Sequence, residues 1–153
     1  MVRRLAQLAA LISVIGCASR ASIGDASWTT QSFTLSVPSH ITGRSQSVNS
    51  STDLTLQHTT FCTLTVSVAI AGNECLSLNG QTLITSYELT GTNLPNGGDA
   101  TWIPAANFVG RSYLISTLGP VDTVTLHVKA DSPAALPPET GTYSAAIIIT
   151  ASW

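Results

Sequence analysis

The side chains that could take part in acid–base, nucleophilic or metal chemistry are few in this chain and are widely spaced. Three histidines, His40, His58 and His127, stand singly, whereas a metal site needs several ligands at short, defined spacings. The sequence contains no G-x-S-x-G elbow, no H-E-x-x-H signature and no glycine-rich phosphate loop, which are the usual signs of a hydrolase, a zinc protease or a nucleotide site. We therefore predict a protein without catalytic residues, metal ion or cofactor.

The acidic residues offer little more, because most of them stand alone near turns. Glu74 and Glu88 are the one pair that we consider as the general acid and base of a hydrolase, since such pairs can be assembled from distant positions. Their more ordinary role is to keep the surface soluble. His127 falls at an outward position of an alternating segment, so we interpret it as a solvated surface residue and not as a base.

Two cysteines, Cys62 and Cys75, follow the N-terminal region, and thiols in an exported chain oxidise and pair. We predict a disulfide between them, which would stabilise the fold by about 3 kcal/mol in the chain-entropy model. A tight hairpin at Gly72 and Asn73 would argue against it, because Cys75 would then face Ile70, about 26 Å along the strand from Cys62. Export to an oxidising compartment, which the N-terminal segment described next predicts, favours the disulfide.

The first 21 residues are organised as a secretory signal peptide. Arg3 and Arg4 form a basic head, residues 5–15 form an apolar run, and small residues follow at positions 16–19. A permanent membrane-spanning helix needs about 20 apolar residues, so this run is too short for one. We expect an exported bacterial protein, located in the periplasm, at the cell surface or outside the cell.

Two processing positions are open within this segment. Residues 14–17 resemble a bacterial lipobox, in which Cys17 would be lipidated and would become a membrane anchor, whereas residues 19–21 form an ordinary small-x-small cleavage site. Cleavage after Ala21 would leave three basic residues against eight acidic ones, a formal net charge of −5. Because no basic patch survives, nucleic acid is not expected as a partner, and contact with a membrane is expected only through a lipid on Cys17.

The rest of the chain has the composition and periodicity of a sheet protein. The full sequence is 44% hydrophobic and only 9% charged, and β-branched residues in alternation with polar ones suit a pleated surface. Alternating segments at regular intervals predict an all-β, immunoglobulin-like antiparallel sandwich of about seven or eight strands over residues 32–153, after a polar arm at residues 22–31. The clearest segments are Ser32–Val37, 61–71, 123–130 and 141–153.

The segments between these strands carry turn signals. Residues 43–52 have Val48 as their single apolar residue and are predicted to be a loop or a weak edge, and Asn79-Gly80 predicts a type I′ hairpin. Residues 90–111 are rich in glycine, proline and asparagine and yet contain Trp102 and Phe108. This aromatic loop either folds back as a lid on the core or presents a binding surface, and aromatic burial favours the lid.

The closing segment, in which Gly141-Thr142-Tyr143 is followed by alternating small and β-branched residues up to Trp153, resembles the C-terminal strand of the spore coat protein U and chaperone–usher pilin group of secreted bacterial proteins. The preceding strand at residues 124–130 and its proline-rich connection also fit. The resemblance implies a surface or fibre subunit whose missing strand is supplied by the N-terminal arm of a neighbour. Carried over by position, the groove residues would be Tyr143, Ile147, Ile149 and Trp153.

Two functional hypotheses follow from the sequence. The first is a non-catalytic structural subunit of the cell surface, pilin-like or coat-like, which contacts protein partners or copies of itself through sheet edges or a groove. The second is a surface lipoprotein or binding module whose loop at residues 90–111 presents Trp102 and Phe108. A free N-terminal arm would favour the first hypothesis, and a lipid on Cys17 would favour the second.

Overall fold

The computed structural model describes residues 8–13, 26–28, 32–37, 47–59, 61–68, 70–116, 121–132 and 143–152, with side chains from Ser47 onward. Within these ranges the chain is mostly β-structure, which confirms the predicted all-β class. The strands are β1 (Leu8–Ser13), β2 (Ala26–Trp28), β3 (Ser32–Val37), β4 (Ser47–His58), β5 (Cys62–Ser67), β6 (Ser77–Leu78), β7 (Gln81–Thr82), β8 (Ile84–Thr90), β9 (Ile103–Pro104), β10 (Ser112–Ile115), β11 (Val121–Asp131) and β12 (Ile148–Ser152). A 3₁₀ turn at Pro95–Gly97 and a short helix, α1 (Ala105–Phe108), interrupt them.

The strands form two larger sheets and two small ones. The larger sheets have the orders β2-β4-β11-β8-β9 and β10-β5-β12, and the two-stranded sheets are β1-β3 and β6-β7. Every pairing is antiparallel. The arrangement fits the antiparallel sandwich that the spacing of the strands predicted.

The core lies between the inner faces of the five-stranded and three-stranded sheets. Burial alternates strictly along β5, where Cys62, Leu64 and Val66 are buried and the residues between them are half-buried. The same alternation runs along most of β11, with Leu126 and Val128 fully buried. Each fully buried aliphatic side chain stabilises the fold by about 1.5–3 kcal/mol, so these two alternating strands supply much of the energy that holds the layers together.

Strand β4 corrects one sequence prediction, since residues 43–52 were expected to be a loop or a weak edge. Instead Ser47–His58 is a twelve-residue strand, and residues 47–57 pair in register with the whole of β11. Its first seven residues have exposed or half-buried side chains, so no apolar alternation marks them. The backbone ladder to β11 holds this segment in the sheet, and that pairing has no signature in hydrophobic periodicity.

The closing segment is confirmed as a strand region with one apolar face, although the regular ladder is shorter than predicted. Residues 148–152 pair with β5, and Ser144 forms an isolated bridge to Ser77 ahead of them. Alternate residues from position 143 to 151 are buried: Tyr143, Ala145, Ile147, Ile149 and Ala151. The predicted period of two therefore holds beyond the ends of the paired strand.

The hairpin predicted at Asn79-Gly80 is confirmed. Both residues have positive φ, 48° and 81°, as a type I′ turn requires, and the turn joins β6 to β7.

Two of the described strands lie within the predicted signal peptide and the predicted polar arm. Strand β1, which lies inside the predicted signal peptide, pairs along its whole length with β3, from Leu8 opposite Val37 to Ser13 opposite Ser32. Within the predicted polar arm, β2 adds three residues to the edge of the five-stranded sheet. Both processing positions, including Cys17, lie outside the described residues. Among the helices of the described ranges, none has the length and apolar character needed to cross a bilayer.

Candidate functional site

The predicted groove residues belong to the inner face of the closing segment. Tyr143 is 2% exposed, and Ile147 and Ile149 are fully buried, so all three pack in the core between the sheets. Trp153 lies outside the described residues. Three members of the predicted set therefore share one apolar surface, as the alternation predicted, and their role in assembly stays a prediction.

The edge next to this surface is β12, which ends one side of the three-stranded sheet. It pairs with β5, and in the described part of the chain no strand forms a ladder with its other side. Strands β1 and β2 lie beside β12 without pairing to it. The side of the sandwich that carries the closing strand is thus flanked by the N-terminal segments.

Phe108 and Trp102, the two aromatics of the predicted binding loop, have different environments. Phe108 is fully buried and its ring stacks on Tyr87, with centroids 5.1 Å apart and planes 24° apart. The structure corrects its assignment to a binding surface, because α1 turns the ring inward, where burial of a large aromatic is most favourable. For Phe108 the predicted lid is the right description.

Trp102 instead lies on the outer face of the five-stranded sheet. It is half-buried and meets His127 edge to face, with ring centroids 6.4 Å apart and planes at 86°. The Lys129 ammonium group lies 5.8 Å from the centroid of the Trp102 ring, within range of a weak cation–π attraction. His127 and Lys129 alternate with buried residues of β11, so the prediction that His127 faces outward is confirmed.

Polar side chains surround Trp102 on this face. His127 Nε2 lies 3.0 Å from the hydroxyl of Thr90, and Lys129 forms an ion pair of 3.3 Å with Asp131. Glu88 stands opposite His127 in the β8–β11 ladder, and continuing the β8–β9 register past Tyr87 and Ile103 brings it opposite Trp102. A cross-strand row of Trp102, Glu88 and His127 results.

Glu74 and Glu88, the carboxylates considered as a catalytic pair, lie on different sides of β8. The carboxylate of Glu74 accepts a hydrogen bond from the Gly72 amide at 2.9 Å, and its carbonyl accepts one from the inward-pointing Tyr87 hydroxyl at 2.8 Å. Glu88 follows Tyr87 in the strand and so faces outward. The fold does not bring the two carboxylates to one site.

Sequence reasoning missed a buried cluster that links the two larger sheets. The Asp99 carboxylate accepts hydrogen bonds from Arg111 Nη2 at 2.7 Å, from the Tyr113 hydroxyl at 2.7 Å and from the Leu89 amide at 2.9 Å. Burial, and then the hydrogen bond to Asp99, raises the pKa of Tyr113 well above its usual range. An isolated aspartate after Gly-Gly gives no sign of these partners in the sequence, since they are distant along the chain.

A second buried cluster was also missed. His58 Nε2 and Asp122 Oδ2 are 2.8 Å apart, and both side chains are almost fully buried. The Asn93 amide donates a hydrogen bond to the other oxygen of Asp122. Burial raises the pKa of the nearby Cys62 to about 11, and the charge of Asp122 adds to the effect. A thiol that stays protonated at neutral pH is a poor nucleophile, so this grouping has the character of a structural polar cluster.

The predicted Cys62–Cys75 disulfide is not supported by the structure, in which both residues are free thiols. Cys62 is the first residue of β5, where it faces Ile115. The segment that contains Cys75 instead meets residues 144–146, through hydrogen bonds of Asn73 and Ser77, and this stretch leads to the far end of β5, where Ile148 faces Ser67. The two ends are five residue steps apart along the strand, about 17 Å, which is more than a disulfide can span.

Within the described ranges, no group of three or more histidine, cysteine or acidic side chains is arranged to hold a metal ion. No family model matches the chain, and no curated protein matches it at a significant level.

Proposed function

We propose that this protein is an exported, non-catalytic structural subunit of the bacterial cell surface, which assembles when a neighbouring copy adds a strand to its sheet edge. The observation that carries the proposal is the pairing of β1 with β3 over six residues, because β1 lies inside the predicted signal peptide. Removal of residues 1–21 would leave the edge of β3 without its ladder.

An unpaired strand edge is a template for another strand, since its N–H and C=O groups have no partner in the sheet. Tyr143, Ile147 and Ile149 are buried on the inner side of the closing segment, and we propose that removal of β1, which lies beside β12, uncovers this apolar surface next to the template. Both β1 and β2 lie beside β12, so the edge that processing would expose and the apolar surface of the closing segment lie close together. Main-chain hydrogen bonds and alternate apolar side chains are the two elements of recognition by strand addition.

The neighbour's N-terminal arm, residues 22–31, is the segment that we propose as the added strand. Its residues 26–28 form strand β2, which pairs with β4 of the same chain, so donation to a neighbour requires that this three-residue pairing be exchanged for pairing along β3. The resemblance of residues 141–153 to the closing strand of the pilin group supports the same reading.

The proposal is tested by exporting the full precursor from a bacterial host and comparing the mature product with an Ala21→Leu, Ser19→Leu precursor that resists cleavage. Both are measured in the same mild detergent by intact mass and by gel filtration with light scattering over a range of concentrations. We expect the mature chain to begin at Ser22 and to form multimers that grow with concentration, whereas the uncleaved chain stays monomeric. A lipid mass on Cys17, or a mature chain that is monomeric at every concentration, would overturn strand addition.

The alternative is a binding module that uses the aromatic loop, and of the two aromatic residues predicted for it only Trp102 is accessible to a ligand. Phe108 is buried in the core and has no surface to offer, whereas Trp102 lies half-buried on an outer sheet face among polar groups.

A further inference from the structure

The outer face of the five-stranded sheet has a composition different from that of the opposite outer face. Glu88, His127, Lys129 and Asp131 are outward-facing there, together with the half-buried Trp102. The outward residues of the three-stranded sheet carry no charge within the described strands; they are Thr63, Thr65, Ser67, Ser112, Leu114, Ile148, Thr150 and Ser152. Ionic groups and an aromatic ring are therefore gathered on one side of the sandwich.

We propose that this face, centred on Trp102, Glu88 and His127, binds the pyranose units of an uncharged polysaccharide. The site is separate from the strand edge of the proposed assembly, so it does not depend on assembly taking place.

The first argument is the aromatic platform. A partly exposed indole on a sheet face offers apolar area next to polar groups, the combination that ligand sites use for binding and orientation. A pyranose ring has C–H groups on its faces and hydroxyls around its rim, so it can stack on the ring and still hydrogen-bond to the surroundings. Contacts with His127 and Lys129 fix the orientation of Trp102 before any ligand arrives, which lowers the entropy lost on binding.

The second argument is the unused hydrogen-bonding capacity beside the platform. Among the described residues, neither the Glu88 carboxylate nor the Trp102 indole N–H has a hydrogen-bond partner, whereas His127, Lys129 and Asp131 are already engaged. A carboxylate accepts hydrogen bonds and an indole N–H donates them. A hydrogen-bond acceptor and a donor beside the indole ring suit a pair of sugar hydroxyls, because each O–H group can donate or accept a hydrogen bond.

The third argument is charge, which selects the class of saccharide. Among the described residues, this face contains the carboxylates of Asp53, Glu88 and Asp131 and one ammonium group, that of Lys129. A net negative face repels sulfated, phosphorylated or uronic polymers, because like charges destabilise an encounter. An uncharged glycan meets no such penalty.

The fourth argument is extent. The row that starts at Trp102 runs through Glu88 and His127 to Ser51 on β4, following the ladders of β8, β11 and β4. Adjacent strands lie about 4.8 Å apart, so the row is roughly 14 Å long. This length fits a short stretch of polymer better than a small ion.

The test is calorimetric titration of the exported mature protein with cellohexaose and with chitohexaose, two uncharged oligosaccharides, and with an oligosaccharide of heparin as the anionic comparison. We expect saturable binding of at least one uncharged probe and none of heparin. Trp102→Ala should weaken binding by about tenfold or more, and Glu88→Gln by about threefold to tenfold. The control variant is Phe61→Ala, which removes an exposed aromatic outside this face and should leave the affinity unchanged.

Circular dichroism verifies that each variant is folded, and Glu88→Gln keeps the shape of the side chain should Trp102→Ala unfold the protein. The proposal is overturned when both uncharged probes fail to bind the folded protein, when heparin binds more tightly than they do, or when neither Trp102→Ala nor Glu88→Gln changes the affinity. The size of the protein by gel filtration is recorded in the same samples, so that a failure of assembly is recognised separately from a failure of glycan binding.

Discussion

The Asp99 carboxylate accepts a hydrogen bond of 2.7 Å from the Tyr113 hydroxyl, although the two residues belong to different layers of the sandwich. Asp99 is tied to β8 of the five-stranded sheet by hydrogen bonds in both directions with the backbone of Leu89, and Tyr113 lies in β10 of the three-stranded sheet. A buried acceptor with several donors is costly to replace, because each buried donor left without a partner costs the fold its desolvation penalty. The loop after the 3₁₀ turn is therefore hydrogen-bonded to both larger sheets through Asp99.

Replacement of this acceptor should destabilise the fold. Asp99→Asn removes the charge that Arg111 pairs with and turns one oxygen into a donor that faces other donors, so we expect a loss of about 2–3 kcal/mol in the free energy of unfolding, measured with urea. The matched control is Asp131→Asn, which breaks the more exposed pair with Lys129 and should cost less than about 1 kcal/mol. Equal effects of the two substitutions would show that Asp99 is not a special link.

Glycine is required at position 98 for two reasons. Gly98 has a φ of 103°, and a Cβ atom there would collide with the carbonyl oxygen of Leu89 and would come within 2.8 Å of the Thr90 Cα atom. Gly98→Ala should therefore cost about 3 kcal/mol or more, because strain in an unfavourable φ region adds to a backbone clash. Gly80→Ala is the control, since Gly80 also has positive φ but has nothing within 4 Å of the added atom, and about 1 kcal/mol is expected from the conformation alone. Similar losses in thermal or urea unfolding for both variants would contradict the clash.

The two aromatics of the loop should respond differently to truncation. Phe108→Ala removes a fully buried ring that stacks on Tyr87, and we expect a loss of about 3–5 kcal/mol in urea unfolding. Trp102→Ala removes a half-buried ring from an outer face and should cost clearly less. A Trp102 variant that is as unstable as the Phe108 variant would mean that the indole is a part of the core.

The features that could be predicted from the sequence are those that local patterns encode. Apolar residues at every second position predict the alternating burial of β11 and of the closing segment. The type I′ turn is predicted by Asn79-Gly80, because both central positions of such a turn need positive φ. The outward position of His127 follows from the same alternation. Such patterns are local: the types of neighbouring residues determine which side chains are buried and which backbone conformation the segment adopts.

Other features depend on contacts between distant residues and leave no local pattern. The polar half of β4 is held by its ladder to β11, so a segment with Val48 as its single apolar residue is still a strand. The Asp99 cluster joins residues more than ten positions apart, which a search for motifs cannot detect. The disulfide prediction gives more weight to export than to the distance along the strand, which argues against the pairing if residues 72–73 form a tight hairpin.

The two thiols in the described part of the chain should differ in reactivity, with Cys75 reacting before Cys62. Burial raises the pKa of both thiols, with the Asp122 charge contributing at Cys62 and the Glu74 charge at Cys75. Cys62 is 2% exposed, whereas Cys75 is half-buried, so a disulfide reagent at pH 8 should label Cys75 and leave Cys62 protected until the protein unfolds. Mass spectrometry of the labelled peptides makes this measurement, and Cys75→Ser is the control that should abolish the fast phase. Rapid labelling of Cys62 in the folded state would contradict its buried environment.

The Cys62 thiol should also make the free energy of unfolding depend on pH in the alkaline range. The pKa of Cys62 is raised from 9.0 to about 11 in the fold, so below pH 9 the thiol is protonated in both states and its contribution is fully present. As the pH rises from 9 to 11 the unfolded chain releases its proton first, and up to about 2 kcal/mol of stability is lost. Tyrosines with raised pKa values act in the same direction, so the measurement is the difference in urea unfolding between the protein and its Cys62→Ala variant at pH 8, 9 and 10.5. Because both chains contain the same tyrosines, this difference should shift in favour of the variant as the pH rises, and a difference that stays constant would show that the Cys62 thiol ionises as readily in the fold as in the unfolded chain.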